Sequence, residues 1–159
     1  MKITIIAIGK LKEKYLKDGI AEYAKRISRF CDLEIIEVED EKAPDNLSPA
    51  MEIQVKKAEA ARVLKRIKEG QPIVVLDVKG ERLGSEGFAG RLKSFFVSGA
   101  SGITFVIGGS LGVDEGLLKK ASLRMSLSDM TFPHQLARLV LIEQVYRAFK
   151  IMNGETYHK

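Results

Sequence analysis

SLSDMTFPHQLARLVLIEQVYRAFK, Ser126 to Lys150, decides how the rest of the chain is read. A short polar loop runs up to Pro133, and a segment that is apolar on nearly every side follows at once. Pro133 is pre-set for a first helical turn, and Gly154 is placed to end the helix predicted from Pro133 to Met152. A helix without a polar face cannot lie on a surface with one side in water. It needs cover from its own sheet and from something more, for which a second copy of the chain is the expected source. A loop pinned between a strand end and such a helix is suited to hold a small molecule.

Working outward, apolar runs alternate with amphipathic stretches. Strands are predicted over Lys2 to Ile8, Leu33 to Val38, Pro72 to Val78, Ile103 to Ile107 and Leu123 to Leu127, the third being continuously apolar as a buried strand is. Helices are predicted over Leu11 to Phe30, Pro49 to Gly70, Ser85 to Ser98 with Ser85 as its cap, and Asp114 to Lys120. Residues 39–48 (EDEKAPDNLS) read as a charged loop and Lys79 to Gly84 as a turn. The alternation predicts an α/β fold, a mostly parallel sheet with helices on both faces, as a single domain over 1–159.

The bulk numbers narrow the function classes. The chain has 159 residues, 45% of them hydrophobic, enough for a sizeable core. Lys and Arg number 26 against 21 Asp and Glu, a net +5. That balance suits a polyanion such as nucleic acid, and surface lysines kept for solubility suit it equally. A lone cysteine, Cys31, excludes an internal disulfide framework and fits a reducing cytosol. No apolar run has membrane-spanning length, and the opening MKITIIAIGK is too short for a secretory signal and reads as a strand.

Parallel sheets bind ligands at the carboxyl ends of their strands. Three ends are unusual: the one after Leu76, the one at Gly108 and Gly109, and the loop Ser128 to Phe132. FVIGGSLG lacks the Lys-Ser/Thr of a phosphate-binding loop and the spacing of a dinucleotide fingerprint. Its glycines serve either a tight turn or a ligand lying against bare backbone. His134 and Arg138 share one helical face. They are either a capping histidine with a surface ion-pair arginine, or a pair facing an anionic substrate. Glu143 and Arg147 have the same spacing and read as a structural ion pair. Two histidines and one cysteine do not make a zinc site. The tail, with Tyr157 and His158, is either disordered or able to stack on a base.

KITIIAIGK, LKEKYLKDGIAEYAKR, VIGGSLG, LSDMTFPHQLARLVLIEQVYRAFKI and the closing YHK together resemble the ribosomal large-subunit methyltransferase H proteins of the SPOUT superfamily, over essentially the whole chain. The resemblance implies a C-terminal deep trefoil knot, a cytoplasmic homodimer and S-adenosylmethionine as methyl donor. It implies methylation of N3 of a pseudouridine in 23S rRNA, on the assembled ribosome, with neither DNA nor membrane as partner. Carried over by position, Leu76, Gly108, Leu127, Ser128, Asp129, Met130, Thr131 and Phe132 would bind the cofactor. Arg138 would stabilise a negative oxygen or a phosphate, and His134 would orient the substrate or relay a proton. Tyr157 and His158 would close the pocket, in their own protomer or across the dimer. Two other readings compete: an RNA- or ribosome-binding factor that has kept the fold without the chemistry, and a generic nucleotide-binding α/β enzyme.

Overall fold

The structure, a computed structural model, describes residues 1–157. Along it run β1 (Lys2–Ile8), α1 (Lys14–Ile27), β2 (Asp32–Val38), α2 (Pro49–Leu64) and β3 (Ile73–Arg82). They are followed by α3 (Ser85–Val97), β4 (Gly102–Ile107), α4 (Glu115–Lys119), β5 (Leu123–Ser126) and α5 (His134–Met152). The strands form one sheet in the order β2-β1-β4-β3-β5, and each pairing is parallel.

β1 and β4 lie inside the sheet and are apolar on both faces, so their sequences run unbroken as KITIIAI and GITFVI. Alternate residues serve the two faces. Ile3, Ile5, Ile103 and Phe105 pack under Ile20 and Ile27 of α1, Phe88 and Leu92 of α3, and Leu141 and Val145 of α5. Ile6, Ile8 and Val106 pack on the other face under Ala60 and Val63 of α2 and Leu117 and Leu118 of α4. Each such fully buried side chain contributes roughly 2 kcal/mol relative to exposure. The central strands therefore anchor the fold, and the half-buried β2 forms an edge.

The sheet lies under α5, and further cover for that helix comes from within the chain. α1 and α3 both pack along α5. Phe30 stacks on Phe149 at 5.5 Å, and Phe96 and Tyr23 reach Phe149 and Tyr146. Every residue of α5 is buried or half-buried. Neighbouring helices thus supply part of the cover that the sequence reading assigned to a second copy, and eleven of the nineteen residues of α5 stay half-buried in the single chain.

Several boundaries differ from the sequence reading, each for a visible reason. α1 starts at Lys14 rather than Leu11, because Leu11 N–H donates to Glu37 (2.9 Å) and Lys12 N–H to Gln135 (2.9 Å). α2 stops at Leu64, where i→i−3 bonds from Arg66 and Ile67 tighten the chain and Ile67 turns to the core. Ser85 does not cap α3; Gly84 holds that position, and the Ser85 hydroxyl donates to Gln144 (2.8 Å). Pro133 is the cap of α5, and His134 its first residue.

The predicted turn from Lys79 to Gly84 is instead largely strand. β3 pairs with β5 through Leu76, makes an excursion over 77–80, and returns to pair Glu81 and Arg82 with Met125 and Ser126. Gly80 makes the crossing feasible, since a Cβ there would lie 2.6 Å from the Met125 main-chain nitrogen.

Candidate active site

The carboxyl ends of β3, β4 and β5 open onto a cavity of about 820 Å³, within the range of small-molecule sites. Its walls come from Leu76 to Val78, from Ile107 to Val113, and from Met125 through the loop to His134 and Ala137. Leu76 and Leu127 are half-buried and lean on the main core, so each shows an apolar surface held from behind. The loop is shaped by its own serines: the Ser126 hydroxyl donates to the Ser128 carbonyl (2.9 Å), and the Ser128 hydroxyl accepts from Met130 N–H (3.0 Å).

Of the eight residues expected around the cofactor, Leu76, Gly108, Leu127, Ser128, Met130, Thr131 and Phe132 line this cavity. Asp129 does not; its carboxylate turns outward to Arg82 (2.5 Å), with both side chains mostly in water. The glycine at 108 is needed by the turn itself. A Cβ there would stand 2.7 Å from Val113 Cγ2 and 3.2 Å from the Gly112 carbonyl, so a side chain would force the turn at Gly112 to shift. Asp77, on the wall beside Leu76, is gripped by Arg124 through Nε (3.0 Å) and Nη2 (2.6 Å).

His134 lines the cavity, and both its ring nitrogens are buried without a hydrogen-bond partner among the described residues. Burial first, and then the Arg138 cation, lower its pKa from the usual histidine value, against a weaker pull from Asp40. It is therefore a neutral imidazole at pH 7, and the same burial and cation disfavour its protonated form.

Arg138 stands one turn along the same face, but it is turned into the protein and is only 1% exposed. Its Nη1 donates to Glu37 (2.6 Å) and its Nη2 to the Gly9 carbonyl (3.1 Å). Of the two readings open for His134 and Arg138, the arginine fits the ion-pair one, though buried rather than at the surface: the guanidinium ties α5 to the ends of β1 and β2. A cation at that depth needs a carboxylate, and Glu37 supplies it. Burial would raise the Glu37 carboxyl, but Leu11 N–H and Arg138 outweigh it and leave it lowered from the usual glutamate value.

Tyr157 is placed away from the cavity of its own chain. Tyr157 packs edge-on against Tyr146 (4.9 Å), lies under the Arg147 guanidinium (4.6 Å) and donates to Glu143 (3.1 Å). Burial, then Tyr23 and Glu143, push its phenol up, so it is a neutral donor. At 1.5 Å per residue, Glu143 and Arg147 lie about 14 and 20 Å along α5 from His134. Glu143 and Arg147 are the ion pair expected from their spacing (2.6 Å). Glu155 is held by Lys150 (2.5 Å) and Arg29. His158 lies outside the described residues.

Sequence reading missed the partners Glu37 and Asp77. Glu37 left no clear signal, being one of three acids in β2 with Asp32 and Glu34; Asp77 left a weak one, as an acid directly after the apolar run that ends at Leu76.

Comparison with known proteins agrees with this geometry. Residues 1–158 match the family described as "Predicted SPOUT methyltransferase". Proteins named "Ribosomal RNA large subunit methyltransferase H" align with the chain over all 159 residues and over their own full length. They are 67% identical in Acetivibrio thermocellus, 62% in Ruminiclostridium cellulolyticum and 55% in Alkaliphilus oremlandii. With a parallel α/β sheet, a cavity at its carboxyl edge and such relatives along its whole length, the chain belongs to the SPOUT methyltransferases, in the ribosomal RNA large subunit methyltransferase H family.

Proposed function

We propose that the protein methylates N3 of a pseudouridine in 23S rRNA, uses S-adenosylmethionine as donor, and acts in the cytoplasm as a homodimer on the assembled ribosome. The observation that carries this reading is the cavity at the ends of β3, β4 and β5, which seven of the eight expected donor-binding residues line. Its character suits the donor. Leu76 and Leu127 offer apolar walls to a flat adenine, the main chain of the 127–132 loop offers donors and acceptors to its edge, and the Gly108 turn leaves room for ribose or the methionine portion. When bound, S-adenosylmethionine supplies an electrophilic methyl group on a sulfonium sulfur.

The chain's own residues supply orientation and proton handling. The uracil N3 carries a weakly acidic proton that must leave. His134 is the candidate to orient the base or relay this proton, because it is neutral, in the cavity wall, and its ring nitrogens have no partner among the described residues. Arg138 is a positioning residue in this reading, since its bonds to Glu37 and Gly9 hold the helix turn that carries His134. Proximity and alignment of the two reactants provide much of the remaining rate enhancement.

Tyr157 and His158 are proposed to close the pocket of the other protomer. Tyr157 stands far from its own cavity, and the cavity rim carries exposed apolar side chains, Val78 at 60% and Met130 at 75%, that a second chain would cover. The trefoil knot is part of the same proposal. It fits the close main-chain crossing of Gly80 over Arg124 and Met125. A chain of this size and net charge of +5 would read RNA by shape and phosphate charge on a preformed surface.

The test is methyl incorporation from labelled donor into ribosomes, separated subunits and naked 23S rRNA, with the modified nucleotide mapped by mass spectrometry. Label at N3 of one pseudouridine, greatest on intact ribosomes, is expected. Label at another atom, or only on naked RNA, would overturn the substrate assignment.

A further inference from the structure

Glu59 is an ionisable side chain buried in the core outside the lining of the cavity. Glu59 lies on α2 in line with Val55 and Val63, on the buried stripe of the helix, and is only 4% exposed. Its Oε1 accepts from Glu41 N–H (3.1 Å), in the loop that follows β2. Its Oε2 is buried and has no hydrogen-bond partner among the described residues. The carboxylate rests against the second glycine of the β4 turn: a Cβ on Gly109 would stand 3.0 Å from Oε2, 3.1 Å from Oε1 and 3.3 Å from Ile8 Cγ2. Gly109 itself lines the donor cavity, and its carbonyl closes the turn by accepting from Gly112 N–H (3.1 Å).

A buried carboxylate oxygen left unsatisfied is costly, and such groups are few in native proteins. A chain that keeps one directly under a ligand-lining turn has a partner for it in another state of that turn. The turn against which the carboxyl group rests carries main-chain N–H groups of residues 109–111 that a shift of the turn could present to Oε2.

We propose that Glu59 is a positioning residue for the donor pocket: when the pocket fills, Oε2 takes a main-chain N–H of the 109–111 turn, while Oε1 keeps the loop after β2. Glu59 thus joins the charged 39–48 loop to the wall of the donor site, and movement of that loop is felt in donor affinity. This rests on the reading of the cavity as the donor site.

The experiment compares wild type with Glu59→Gln, which has nearly the same shape but only one acceptor for two N–H groups. Binding of S-adenosylmethionine and S-adenosylhomocysteine is measured by calorimetry, single-turnover methylation at saturating donor by label transfer, and amide exchange at Gly109 and Ser110 by NMR. The expected result is donor binding weaker by about tenfold, the worth of one charge-assisted hydrogen bond. Turnover at saturation stays within about twofold, a direct consequence of an effect confined to binding. The donor slows exchange of these amides in wild type and not in the variant.

Equal affinity with equal protection would overturn the inference and leave the donor site standing, as would lower stability without any change in affinity. Wild type that binds no donor would remove both. Should Glu59→Gln not fold, wild-type exchange decides alone: no gain in protection at Gly109 or Ser110 on adding donor refutes the proposal.

Discussion

Glu37→Ala is the sharpest test of how the floor of the site is held. The substitution leaves the Arg138 guanidinium, 1% exposed, with the Gly9 carbonyl and no counter-charge. Stranding a fully buried charge costs about 3–5 kcal/mol. The Glu37 side chain is 38% exposed, so water can reach the vacated space and relieve part of that cost. A net loss of about 2–3 kcal/mol follows, nearer the value of one charged hydrogen bond. For a domain of this size that is a fall in Tm of about 5–10 °C.

The assay is urea unfolding at fixed protein concentration, so that any dimerisation contributes equally to each sample. Two controls bear on the cause. Arg138→Met combined with Glu37→Ala should recover about half of the loss, because the stranded charge is gone. The difference between wild type and Glu37→Ala should also depend on pH. The Glu37 pKa is lowered in the folded state. Its contribution is therefore complete above the unfolded carboxyl value, about 4.3, and disappears as pH falls through the folded value. A loss below about 0.5 kcal/mol, within the range of an ordinary surface change, would refute the account. So would a double variant whose losses simply add.

Gly108→Ala should weaken donor binding by at least about tenfold, since its Cβ would meet Val113 Cγ2 at 2.7 Å and open the turn; calorimetry with S-adenosylhomocysteine checks it. Cys31 is buried and its thiol is pushed up to about 12, so an exposed-thiol reagent at pH 8 should label it only in denaturant. Arg82→Ala breaks a pair with Asp129 that is mostly in water, and its unfolding free energy should change by less than about 0.5 kcal/mol; a larger loss would show that the pair holds the cofactor loop.

Local patterns carried most of the architecture. The unbroken apolar runs of β1 and β4 announce strands buried on both faces, and Gly108, Gly109 and the 127–132 loop mark the ends where the cavity lies. What pattern could not supply is the partner of a given side chain. Spacing places His134 and Arg138 on one helix face, yet the acid that turns Arg138 inward stands 101 residues earlier. The four-residue excursion in β3 was invisible for a similar reason, since the strand resumes only because β5 waits beside it. Glu59 left the clearest neglected signal: an acid four residues from Val55 and four from Val63, on a stripe that is otherwise apolar.

The account's central claim, that three neighbouring strand ends hold the methyl donor, is met most directly by a crystal structure with S-adenosylhomocysteine. The account predicts adenine between Leu76 and Leu127, with its edge on the main chain of residues 127–132. Ligand bound elsewhere, with the ends of β3, β4 and β5 vacant, would contradict it.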